Sequence, residues 1–149
     1  MAQREYPVST LFGRTLKFLS DEFERRLKDN DIPLSIVEFV LLYRLSTITE
    51  DEITQQNFAT LEGKHKSVIL RQIDSLESKH LVARMNDAAD RRKNMLVLTK
   101  SGMTMLDKAM SVENKMMKEL TRGLKDSEID ILKKVSLTIQ QNARKLSDR

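Results

Sequence analysis

Between Val8 and Asn30, the apolar residues Leu11, Phe12, Leu16, Phe18, Leu19, Phe23 and Leu27 recur at roughly 100° per residue and cover about half of a helical wheel, which predicts a helix. A stripe that wide serves either two apolar neighbours, one of them a second subunit, or burial within a single chain. Beyond Ile32-Pro33, Ser35 and Glu38 have capping-box spacing, and a helix through Ile36, Phe39, Val40, Leu42, Tyr43 and Leu45 follows. Thr54 opens a short helix that carries Phe58 and Leu61 and stops near Gly63. From about His65 to Ser78, Ile69, Ile73 and Leu76 fall at i, i+4 and i+7, while Ser67, Arg71, Asp74 and Ser78 lie opposite.

The period then changes. Leu81-Val-Ala-Arg-Met85 and Met95-Leu-Val-Leu98 read as two short strands, joined by a long loop, Asn86 to Asn94, that carries Arg91-Arg92-Lys93. Thr99 caps a helix running to about Arg122 through Met103, Leu106, Met110, Met117 and Leu120. A last helix from about Asp126 carries Ile129, Leu132, Val135, Ile139 and Leu146. Two helices joined by a tight turn and followed by a hairpin form a winged helix-turn-helix, here between long terminal helices. The fold class expected is therefore mainly α with a small β-wing.

Composition narrows the chemistry. The chain has 149 residues, enough for one domain with appended helices, and no Cys, which removes disulfides, thiolate metal sites and thiol catalysis. Two His, no Gly-rich phosphate loop and no carboxylate pair in a recognisable setting argue against an enzyme, a metal site or a cofactor. No apolar run suits a signal peptide or a membrane span, so the expected location is the cytoplasm. The net charge of +4 lies in one stretch: between Lys64 and Lys93 there are eight basic residues against Asp74, Glu77, Asp87 and Asp90. An anionic partner would meet the helix and the hairpin there.

The segment from Lys64 to Arg84, KHKSVILRQIDSLESKHLVAR, resembles the recognition helix of the MarR (multiple antibiotic resistance regulator) family and its exit into the wing. Asp87-Ala-Ala-Asp-Arg-Arg92, followed by Leu96-Val-Leu-Thr99 and Gly102, is similar to that family's Asp-Pro-x-Asp-Arg-Arg…Leu-Thr-x-x-Gly signature. The likeness extends over nearly the whole chain. Two positions depart from it: His80 stands where the family usually has Gly, and Ala88 where it often has Pro. His enters the left-handed backbone region more readily than most residues, so the turn at 80 can survive with some strain. The resemblance implies a single domain over residues 1–149, with dimerisation helices at about 8–30 and 100–147 around a winged helix at about 34–99. It also implies a homodimer and a small amphipathic or phenolic effector bound between the two regions.

A helix of this length fits the major groove, and Arg71 can present its planar fork to guanine O6 and N7; a phosphate contact or a salt bridge with Asp74 are the alternatives. Leu70, beside it, suits a thymine methyl or is simply a leucine at the surface. Lys66 and Ser67 sit in the first turn, where free amides and the positive helix end favour phosphate, and Lys64 and His65 add to that field unless His65 only caps the helix or faces solvent. By resemblance, Asp90 fixes the wing loop and Arg92 enters the minor groove, where an arginine reads width and potential. Arg91 and Lys93 would touch phosphates or stay solvated. Two such modules about a dyad read a near-palindrome in double-stranded DNA. Tyr43 and Gln72 are candidate polar handles for an effector, and the methionines Met103, Met105, Met110, Met116 and Met117 either line an adaptable pocket or fill core. A protein-binding winged helix and an effector-independent architectural DNA binder remain open alternatives.

Overall fold

The computed structural model describes residues 6–48, 66–86 and 94–147. In chain order the elements are α1 (Val8–Asp29), α2 (Ile36–Thr47), α3 (Lys66–Ser78), β1 (Val82–Asn86), β2 (Asn94–Leu98), α4 (Lys100–Leu120) and α5 (Asp126–Ser147). These match the expected helices and hairpin within a residue or two; the short helix expected between Thr54 and Gly63 lies outside the described residues. The chain divides into two compact units, Met1–Asn114 and Lys115–Arg149. None of the described helices is long and apolar enough to cross a membrane.

In the first unit the core gathers the inward positions of four elements: Leu27 from α1, Leu41 and Leu42 from α2, Ile69, Ile73 and Leu76 from α3, and Val82 from β1. Aromatic rings join α1 to α2, with Phe23 edge-on to Phe39 at 4.9 Å and Phe39 stacked on Tyr43 at 6.5 Å. The apolar stripe of α1 is only half used. Phe23 and Leu27 are buried, whereas Leu11, Phe12, Leu16 and Phe18 remain exposed.

α1 and α3 end in the same way. Asp31 N donates to Lys28 O and Ile32 N to Leu27 O, at 3.1 and 2.9 Å; His80 N donates to Glu77 O and Leu81 N to Leu76 O, both at 2.9 Å. Each is a Schellman turn with its left-handed residue at the fifth position of the loop, Asp31 at φ 55° and His80 at φ 58°. The flanking pairs Leu27 with Ile32 and Leu76 with Leu81 are all buried, so apolar burial holds the chain in a conformation that a side chain disfavours.

β1 and β2 pair antiparallel, with Val82 opposite Leu98 and Arg84 opposite Leu96. At the base of the hairpin Thr99 caps α4: its Oγ1 accepts from Gly102 N at 2.9 Å and donates to His80 O at 2.8 Å. Gly102 is buried where a Cβ would overlap the carbonyl oxygen of Leu81, which explains why the motif needs glycine three residues after the threonine.

In the second unit, α5 begins with Asp126 and Glu128 and ends with Arg144 and Lys145, a charge order that complements the helix dipole. Lys125 N donates to Glu128 Oε2 at 2.7 Å. Leu132, Val135, Ile139 and Leu146 form one stripe along α5, and all are exposed.

Candidate nucleic-acid interface

The 3.6-residue period divides α3 into two faces. Ile69, Ile73 and Leu76 are at most 1% exposed and anchor it, while Ser67, Arg71, Asp74 and Ser78 form a polar strip directed outward. Val68 and Leu70, each 38% exposed, flank that strip on either side. Val68 was not singled out from sequence because an apolar residue beside Ile69 reads as core. Lys66 begins the helix. Lys64, His65, Asp90, Arg91, Arg92 and Lys93 lie outside the described residues.

Two ionic clusters hold the C-terminal half of α3. From the wing, the Arg84 guanidinium reaches both Asp74 and Glu77. From α2, Glu38 accepts hydrogen bonds from Ser75 Oγ and Lys79 Nζ, each at 2.7 Å. Glu38 also completes the expected capping box: Ser35 N donates to its Oε2 at 2.8 Å, and Glu38 N donates to Ser35 Oγ at 3.3 Å. Burial alone would raise the Glu38 carboxyl, but the hydrogen bonds from Lys79, Ser35 and Ser75 outweigh it and hold the group below the ordinary carboxylate range.

These clusters change the charge pattern that matters. Lys79 and Arg84 contributed to the cationic stretch read from sequence, but both are engaged within the fold, as are Asp74 and Glu77. Setting those four aside, the sequence between positions 64 and 93 carries Lys64, Lys66, Arg71, Arg91, Arg92 and Lys93 against Asp87 and Asp90. The basic excess is thus concentrated at the start of α3 and in the wing loop. Asp74 pairs with Arg84 and not with Arg71; Arg71 is exposed on the outward strip and forms no salt bridge among the described residues.

The two residues considered as effector handles lie apart from the described cavity. Tyr43 is exposed with its ring stacked on Phe39, and Gln72 is half-buried on the Val68 flank of α3. Among the described residues, an open pocket of about 590 Å³ lies where the chain leaves α1, walled by Lys28, Asp31, Pro33, Glu38 and Lys79. Met103 is exposed, and Met105 and Met110 are half-buried. Among the described residues, no group of three or more His, Asp or Glu side chains could hold a metal ion.

Residues 34–93 match the model of the MarR family. Over that segment the chain is similar to the MarR family. Solved MarR-type structures follow the same fold over almost its full length. The transcriptional regulator PA3341 is 27% identical, covering 93% of this chain and 99% of its own, with a TM-score of 0.74. MepR of S. aureus, solved as a DNA complex, is 24% identical, covering 93% of this chain and 99% of its own, with a TM-score of 0.78. The transcriptional repressor CouR, solved on a 23-mer DNA duplex, is 23% identical, covering 90% of this chain and 92% of its own, with a TM-score of 0.80. The matched segment runs from Leu34, at the entry to α2, to Lys93 between the two strands, and so includes every element that carries the outward strip of α3.

Proposed function

We propose that this protein is a MarR-family DNA-binding transcriptional regulator that works as a homodimer, reads a near-palindromic operator and represses transcription by occupying it. The observation that carries this reading is the outward face of α3: a buried apolar anchor holds the helix, the neighbouring acids are paired with Arg84, and Arg71 is left exposed beside Ser67 and Leu70. In this reading Arg71 contacts a guanine edge, Leu70 meets a thymine methyl, and Lys64, His65, Lys66 and Ser67 hold phosphate at the helix start. Arg92, steadied by Asp90, enters the minor groove, with Arg91 and Lys93 on the backbone. The DNA in the MepR and CouR structures supports duplex DNA as the partner.

Dimerisation would use α1 and the two C-terminal helices as parts of a single domain over residues 1–149. Leu11, Phe12, Leu16 and Phe18 on α1, and Leu132, Val135, Ile139 and Leu146 on α5, are exposed apolar residues that a partner subunit would cover. A small amphipathic or phenolic effector, with Tyr43 and Gln72 as polar handles, would act by changing the separation of the two α3 helices. No cofactor or catalytic step enters this scheme, and the site of action is the cytoplasm. Sedimentation together with selection from random duplexes tests the proposal. A dimer that enriches two inverted half-sites about one helical turn apart supports it; a monomer, or no enrichment, contradicts it.

A further inference from the structure

The polar contacts between α2 and the end of α3 centre on one carboxylate. Glu38 is 4% exposed and is shared by four donors. Its Oε1 accepts from Ser75 Oγ and Lys79 Nζ at 2.7 Å each, and its Oε2 accepts from Ser35 N at 2.8 Å and from Ser35 Oγ at 3.2 Å. Lys79 Nζ donates in addition to Pro33 O at 2.8 Å, so the residue that follows α3 is tied at two points to the start of α2 and the segment that enters it. A well-packed apolar contact would stabilise this join about as well, because desolvating an ion pair offsets most of its attraction. What directional hydrogen bonds add is register: they fix both the rotation of α3 about its axis and its height along that axis.

That rotation bears on the outward strip. Arg71, Ser75 and Lys79 succeed one another at i, i+4 and i+8, so they follow one row of the helix surface, with Arg71 a single turn from Ser75. A helix with side chains has a radius of roughly 5–6 Å, so a rotation of about 20° moves a side-chain tip by about 2 Å. Bidentate hydrogen bonding to a base edge does not survive such a shift, since the bonds span about 2.7–3.2 Å.

We propose that Glu38, Ser75 and Lys79 are positioning residues for sequence recognition: they set the angle at which α3 presents Arg71, Leu70 and Ser67 to the groove, without touching DNA themselves. The proposal rests on the reading of α3 as the DNA-reading helix. It predicts that loosening the join lowers discrimination between sequences more than it lowers affinity for DNA in general.

The test compares a duplex selected from random sequences with a scrambled duplex of the same length, measured by anisotropy at one salt concentration and well below each variant's melting point. In Lys79→Met the ratio of the two affinities should fall about tenfold, the scale of one lost base contact, and in Ser75→Ala about threefold. Scrambled-duplex affinity should stay within about twofold in both, and Lys79→Arg, which keeps the charge and the donors, should retain most of the ratio. If Lys79→Met does not fold, Ser75→Ala, which removes one hydroxyl, decides the matter alone. Folded variants that discriminate as well as wild type, while Arg71→Ala does not, overturn the positioning role and leave the DNA reading intact. A wild type that prefers no sequence overturns both.

Discussion

The two faces of α3 contrast in what each side chain does. Inward, Ile69, Ile73 and Leu76 are almost wholly buried, and the same end of the helix is pinned by Glu38 from α2 and Arg84 from β1. Outward, Ser67, Leu70 and Arg71 are exposed. If the outward face reads DNA as proposed, substitutions on α3 should separate by face into losses of stability and losses of binding.

The largest effect expected is on the inward face. Ile73→Ala should cost about 2–5 kcal/mol in a urea melt, because the site is bounded by helix and strand and cannot collapse around the missing atoms. Arg71→Ala, two residues away, should leave the same melt within about 0.5 kcal/mol of wild type. Equal losses from both would break the contrast.

The buried carboxylate gives a smaller, pH-dependent effect. A carboxyl held below its ordinary range adds stability above that range and loses it as the pH falls through its folded-state pKa. Between about pH 5 and pH 3, wild type should therefore lose stability more steeply than Glu38→Gln, whose side chain does not titrate. Parallel pH profiles would mean that the Lys79 and Ser75 contacts do not favour the charged form. Glu22 on α1 is the comparison: its carboxyl is lowered to about 2, chiefly by hydrogen bonds from Arg25 and Arg26. Arg25 is exposed while Glu22 and Arg26 are half-buried, and pairs of i,i+3 and i,i+4 spacing on one helix contribute little, so Glu22→Gln should leave the midpoint nearly unchanged.

The smallest effect concerns the turn that ends α3. His80 occupies a left-handed conformation at φ 58°, which glycine adopts without strain. His80→Gly should raise stability by about 0.5–1 kcal/mol, the relief being partly offset by the greater freedom of glycine in the unfolded chain. A decrease would show that the imidazole makes a favourable contact of its own.

Periodicity made much of this legible in advance. The two faces of α3, the Ser35–Glu38 capping box, the Thr99 cap and the hairpin were all readable, because each depends on residues close together in sequence. The second task of Glu38 was not, since Lys79 is 41 positions away and only the packing of α2 against α3 brings them together. Arg84 and Lys79 were read as part of a cationic surface for the same reason: composition counts charges but not their partners. The requirement for glycine at 102 was visible only as a motif until the nearby Leu81 carbonyl supplied its cause. The pocket among the described residues forms where α1 turns into α2, a feature of backbone path that no local pattern encodes.

The central claim is that the outward strip of α3 and the wing loop together read DNA. Its most direct test is anisotropy on the selected duplex across a salt series, comparing wild type with Arg71→Ala and Arg92→Ala. Wild type should bind tightly, and its binding should weaken steeply with salt. Both variants should lose roughly 1–3 kcal/mol of affinity, and Arg71→Ala should also relax the sequence preference. Binding of the selected duplex that neither substitution alters would contradict the claim.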